Sequence, residues 1–116
     1  LIVGDSSRLV LLEHEMREKL KETNEIYRSE PYFLEVLPKG IDKAQTLDVL
    51  LGKLGLTKDE VIACGDGFND LSMVKYAGLG VAMANAQEVV KENADYITLS
   101  NDEDGIAHVI EKFILS

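Results

Sequence analysis

Apolar residues recur along the chain with two different textures, and the change from one to the other divides it. Residues 1–4 (LIVG) read as a strand or strand end, and residues 5–7 are suited to cap a helix running to about residue 23. In that helix Leu9, Leu12, Met16 and Leu20 recur at helical spacing, while Glu13, Arg17, Glu18 and Lys21 cover the other faces. NEIYRS (24–29) and YFLEVL (32–37) then read as two short strands around Pro31, completing a β-α-β-β block that stops near Pro38.

After PKG (38–40) helix and strand signals alternate to the end, the pattern of an α/β fold with a parallel sheet and crossover helices. Residues 42–54 predict a helix with Leu47, Leu50, Leu51 and Leu54 on one stripe and Gly55 as its stop. Thr57 and Glu60 have capping-box spacing, but VIAC (61–64) follows at once as a strand, so a turn is expected there. Further on, a helix ends at Gly78, GVAM (80–83) is a strand, and Asn85 is expected to cap a short helix through Glu92. YITL (96–99) is the next strand. NDED (101–104) then opens a last helix with Ile106, Val109, Ile110 and Phe113 facing inward and its carboxylates at the positive helix end.

The 116 residues, 46% of them hydrophobic, suffice for a sizeable core. No apolar run approaches the roughly 18–20 residues of a membrane span, and no signal-peptide pattern opens the chain, so a cytoplasmic protein without membrane contact is expected. The lone cysteine, Cys64, agrees with a reducing compartment. A net charge of −9, from 21 acidic and 12 basic residues with no basic patch, argues against nucleic-acid partners. Small phosphorylated molecules remain open to it if a metal ion and placed lysines reverse the local field.

The stretch GDGFND (65–70) sets Asp66, Asn69 and Asp70 close together at the carboxyl end of a predicted strand, where open α/β sheets bind ligands. Gly65 and Gly67 let the loop fold tightly and aim Asp66 outward. Two carboxylates suit Mg²⁺, which takes one or two from the protein and fills its shell with water and phosphate oxygen. The plainer reading makes Asp66 a turn residue and Asp70 the N-cap of the next helix. A dinucleotide fingerprint does not fit, because Asp70 stands where close packing needs Gly or Ala.

Lys43 falls in the first turn of the helix predicted over 42–54, where a cation opposes the helix dipole. An anion held by Lys43 and the free backbone N–H groups would reverse that sign; a solvated lysine is the alternative, and Lys39 is the neighbour most easily confused with it. Cys64 ends an apolar run and reads as a strand residue. HEMRE (14–18) has Glu18 where a zinc-protease motif needs its second histidine, and His108 stands alone.

GDGFNDLSMVKYAGLGVAMANA, preceded at the right distance by LEVLPKGIDKAQTL, resembles the C-terminal part of the haloacid dehalogenase superfamily, specifically its Cof-type phosphatases with a large α/β cap. The resemblance covers nearly the whole chain. It implies that residues 1–37 are the last part of the cap and residues 38–116 the returning half of a Rossmann-like parallel-sheet core.

It further implies that Asp66 binds Mg²⁺, that Asp70 supports the metal directly or through water, that Asn69 contacts the phosphoryl group or substrate, and that Lys43 steadies the nucleophile and the transferring phosphate. Catalytic roles thus fall on Lys43, Asp66 and Asp70, and phosphate contacts on Lys43 and Asn69. The implied reaction is hydrolysis of small phosphorylated metabolites, sugar phosphates by default, through an aspartyl phosphate. The sequence departs from the family in lacking the D-x-D motif that carries the nucleophile, since Asp5 is followed by Ser6 and Ser7, and in having Ala84 for a glycine. With LIVGD opening inside an apolar run, the chain reads as a C-terminal fragment, inactive alone and expected to self-associate or to pair with an N-terminal portion. A phosphomutase with the same loop and a non-catalytic binding protein of the same fold are the rival readings.

Overall fold

The computed structural model describes residues 1–116 and divides into two compact units, Leu1–Ile41 and Asp42–Ser116. The division falls after Ile41 rather than after Leu37, because Pro38 still pairs with Asn24, and Lys39 N–H still donates to Thr23 O at 2.9 Å.

The first unit lays one helix on an antiparallel sheet. Its elements are β1 (Ile2–Val3), α1 (Ser6–Leu20), β2 (Asn24–Glu30) and β3 (Phe33–Pro38), with strand order β1-β3-β2. Asp5 caps α1 by accepting Ser7 N–H at 3.0 Å. The helix stops at Leu20 instead of residue 23, where Thr23 N–H turns back to Leu20 O. Leu9, Ile26 and Leu34 form the buried core, and Leu12, Met16 and Leu20 pack against it as the helical period requires. Glu13 on α1 pairs with both Arg17 and Arg28, fastening helix to sheet on the polar side.

The second unit is the alternating α/β block. In order it contains α2 (Lys43–Leu54), β4 (Ile62–Gly65), α3 (Leu71–Tyr76), β5 (Leu79–Ala82), α4 (Glu88–Glu92), β6 (Tyr96–Ile97) and α5 (Gly105–Phe113). The strands run parallel in the order β4-β5-β6, with Ile62 opposite Leu79 and Val81 opposite Tyr96. Val74, Ala82, Met83, Ala86 and Val90 make its core. Gly80 lets α3 end directly on β5: a Cβ there would stand 2.0 Å from the Val74 carbonyl oxygen. β4 is hydrogen-bonded to β5 on one side only.

Residues 58–60 form the expected turn, a single one of 3₁₀ type, and the Glu60 carboxylate also reaches back to Thr57 N–H at 2.9 Å, half of a capping box, before β4 begins. Other local expectations change. Asn85 is not a cap, since α4 starts at Glu88 after Gln87; its side-chain oxygen instead receives Asn101 N–H at 2.9 Å, joining two loops. NDED does not open α5 directly. Residues 101–103 make their own 3₁₀ turn, and Asp104, at φ 57°, redirects the chain into the helix. On α5 only Val109 and Gly105 are buried, while Ile106, Ile110 and Phe113 remain exposed. Of the leucine stripe on α2, Leu51 is buried and Leu47 half-buried, while Leu50 and Leu54 face out. No helix is long and apolar enough to cross a membrane.

Candidate functional site

The loop after β4 is pinned from outside before its own side chains act. Met83 N–H donates to Gly65 O at 3.0 Å, extending the parallel ladder, and Gln87 N–H donates to Asp66 O at 2.8 Å. A 3₁₀ turn over Phe68–Asp70 follows, closed by Asp70 N–H to Gly67 O at 2.9 Å, and α3 continues from it.

Asp70 is the hub of this loop. It is 7% exposed, and its Oδ2 accepts the backbone N–H groups of Asp66 at 3.1 Å and Gly67 at 3.2 Å. Its Oδ1 accepts the ammonium of Lys43. Asp70 stands at the N-cap position of α3, but its backbone is already helical there and its carboxylate makes no cap bond to that helix. It turns back instead, satisfying amides that a tight turn would otherwise leave without partners. Burial pushes its pKa up, and the hydrogen bonds from Lys43, Asp66 N–H and Gly67 N–H outweigh this, holding the carboxyl below its usual range. The close fit explains Gly65: a Cβ there would lie 2.4 Å from the Asp70 Cβ.

Around this hub the other residues take distinct positions. Asp66 is exposed, and its carboxylate makes no hydrogen bond or ion pair within the chain. Asn69 is exposed beside Gly67, whose added Cβ would meet the Asn69 side-chain oxygen at 2.9 Å. Lys43 opens α2, its side chain about half exposed at 47%. Asp42, one residue before the lysine, caps that helix by accepting Gln45 N–H at 2.8 Å, so that α2 begins at Lys43 with its first turn facing the loop. The structure therefore brings Lys43, Asp66, Asn69 and Asp70 to one end of β4.

The donor set accommodates a hard divalent cation through Asp66. Its carboxylate is solvent-facing and unengaged, while Asp70 has three of its roughly four lone-pair positions committed to nitrogen donors. No group of three or more His, Cys, Asp or Glu side chains is arranged to hold a metal ion by itself. Mg²⁺ fits such a set, since it commonly takes one or two protein carboxylates and completes its octahedron with water and phosphate oxygen.

The remaining candidates separate cleanly. Lys39 spends its ammonium on the Lys21 carbonyl oxygen at 2.9 Å. Cys64 lies half-buried on β4, where burial pushes its thiol pKa up, the opposite of an activated nucleophile. Within HEMRE, Glu15 pairs with Lys19 and Arg17 with Glu13, as on an ordinary helix surface. His108 shares a hydrogen bond of 3.2 Å with the Tyr96 hydroxyl. Two contributors escaped the sequence reading: Ser72, whose Oγ receives Ala44 N–H at 3.4 Å, and Gln87, which acts through its backbone. A hydroxyl two residues beyond Asp70 gives no sequence signal of its own.

Known proteins resemble this chain over nearly all of it. The family model described as haloacid dehalogenase-like hydrolase matches residues 1–110. A Bacillus subtilis protein named 5-amino-6-(5-phospho-D-ribitylamino)uracil phosphatase is 48% identical over 106 residues, which is 90% of this chain and 43% of that protein. The crystal structure of a haloacid dehalogenase-like hydrolase from Bacteroides thetaiotaomicron superposes with a TM-score of 0.89 at 59% identity, covering 97% of this chain and 42% of the other. A subclass IIB sugar phosphatase of the same superfamily gives 0.75 at 42% identity, covering 87% and 40%. The chain thus spans less than half the length of these relatives.

Proposed function

The chain belongs to the haloacid dehalogenase-like hydrolase family, and on that premise we propose that it forms the Mg²⁺- and phosphate-binding half of a phosphatase for small phosphorylated metabolites, sugar phosphates foremost. One observation carries this reading. A single buried carboxylate, Asp70, joins the Lys43 ammonium to the backbone of the loop that presents Asp66. A cation and the backbone that carries a free carboxylate are thereby tied to the two oxygens of one anchor, an arrangement suited to a ligand that is both anionic and metal-bound.

In the proposed reaction an aspartate from outside these residues, entering beside the open edge of β4, attacks phosphorus and breaks its bond to the substrate oxygen, which leaves as the alcohol after taking up a proton. Water then hydrolyses the aspartyl phosphate, releasing inorganic phosphate and returning the aspartate. Lys43 lies in the first turn of α2 and directs its charge at the transferring phosphoryl group; that charge gains its effect from being placed in advance. Asn69 contacts a phosphoryl or substrate oxygen. Asp70 keeps Lys43 and the Asp66 loop in register. Asp66, with Asp70 beside it, would hold Mg²⁺, which when bound would supply positive charge to offset that of the phosphoryl oxygens. The relatives named as phosphatases, and the sugar phosphatase among the structural neighbours, support the substrate class.

The experiment is complementation. The 116-residue chain alone should release no phosphate from p-nitrophenyl phosphate above background. Adding the separately made N-terminal portion of its parent should produce Mg²⁺-dependent release. Turnover by the pure chain, or none by the reconstituted pair when the intact parent is active, would overturn the division of labour.

A further inference from the structure

Lys43 depends on the placement of α2, yet the half of α2 that carries it has no buried residue. From residue 43 to residue 50 only Ala44 and Leu47 are even half-buried, and the apolar anchor, Leu51, comes later in the helix. Hydrophobic packing therefore fixes the C-terminal half of α2 and leaves the N-terminal half to polar contacts.

Those contacts form a ladder against α3 and the turn that leads into it. Lys43 reaches Asp70, Ala44 N–H reaches Ser72 Oγ at a long 3.4 Å, and Asp48 accepts the hydroxyl of Tyr76. The middle rung is weak by its length. The last is a hydroxyl donating to a carboxylate, a charge-assisted bond of the stronger kind. It also raises the Tyr76 pKa, through its hydrogen bond to Asp48 first, as expected of a phenol whose proton is held by an anion. Tyr76 is the last residue of α3, and the α3 backbone is anchored by the fully buried Val74 and by its close approach to Gly80. The phenol therefore projects from a rigid base.

We infer that Tyr76 and Asp48 are a positioning pair: their hydrogen bond holds the N-terminal half of α2 against α3 and so keeps Lys43 on Asp70. The inference rests on the proposed function only for its catalytic consequence; the structural effect can be read without any substrate.

The test is amide hydrogen exchange along α2 in the full-length parent, read beside steady-state kinetics. Tyr76→Phe should speed exchange of the amides of residues 47–50 several-fold and leave those of residues 52–54, beyond the buried Leu51, near their original rates. Asp48→Asn, a change at an exposed position, should act in the same direction, and the double variant should go no further than the larger single change. Tyr76→Phe should also lower kcat, but not in a Lys43→Met background. Exchange over residues 47–50 unchanged in both single variants would overturn the inference, and so would a uniform acceleration along the whole helix or a loss of kcat that persists without Lys43. Should exchange behave as stated while Lys43→Met leaves the parent's turnover intact, the pair stands and the reading of Lys43 as the phosphate-facing cation falls.

Discussion

The carboxylate of Asp70 accepts the backbone N–H of Asp66 at 3.1 Å, so the buried acid of the loop fixes the main chain of the exposed one. The two aspartates are not equivalent. One is spent on protein donors, and the other is left free to meet a ligand.

This asymmetry has a pH signature. The Asp70 carboxyl is held below its reference value of 3.8, so its contribution to stability is fully present above that value and is lost as pH falls through the lower folded-state pKa. Asp70→Asn should cost about 1–2 kcal/mol at neutral pH, the scale of hydrogen bonds to a charged group discounted for a half-exposed partner. Denaturant unfolding of both proteins between pH 7 and about pH 3 should show the gap closing only below the ordinary carboxylate pKa near 4. A gap independent of pH would remove the charge from the explanation.

Glycine substitutions should separate fold from site. Gly80→Ala drives a Cβ toward the Val74 carbonyl oxygen, a backbone atom with little room to yield, and should cost about 1–3 kcal/mol by thermal or denaturant unfolding. Gly65→Ala drives its Cβ into the Asp70 side chain, so its mark should be local: an Asp70 titration midpoint moved upward. Equal effects on Asp70 from both variants would contradict this.

Much of this was legible in the sequence, for reasons specific to particular residues. Leu9, Leu12, Met16 and Leu20 sit at one period behind a capping Asp5, and helix, cap and buried face all followed. Lys43 was conspicuous because it opposes its own helix dipole, and Asp70 gives the local answer. The job of Asp70 was not legible, because an N-cap and a side chain reaching back onto its own turn need the same residue in the same place. Asn85 failed for a related reason: its partner, Asn101, is distant in sequence, and a tertiary hydrogen bond displaced the local one. The apolar stripe of α5 matched a buried helix, yet Ile110 and Phe113 stay about 40% exposed, since periodicity shows which face is apolar and not whether anything covers it.

The two lysines near the junction of the units should differ sharply in effect. In the full-length parent, Lys43→Met should lower kcat by on the order of 10²-fold, the scale for removing one placed charge-stabilising group. Lys39→Met should change it little, since Lys39 is occupied with the Lys21 carbonyl. Steady-state kinetics on both variants decides the register, and a more damaging Lys39→Met would show it to be wrong.

Asp66 is the residue proposed to meet the metal, and a Mg²⁺ titration of phosphate release by the full-length parent tests that role most directly. The wild type should saturate with Mg²⁺, while Asp66→Asn should lose most activity and require more Mg²⁺ for what remains. An Asp66→Asn enzyme with the wild-type rate and the wild-type Mg²⁺ dependence would contradict the account.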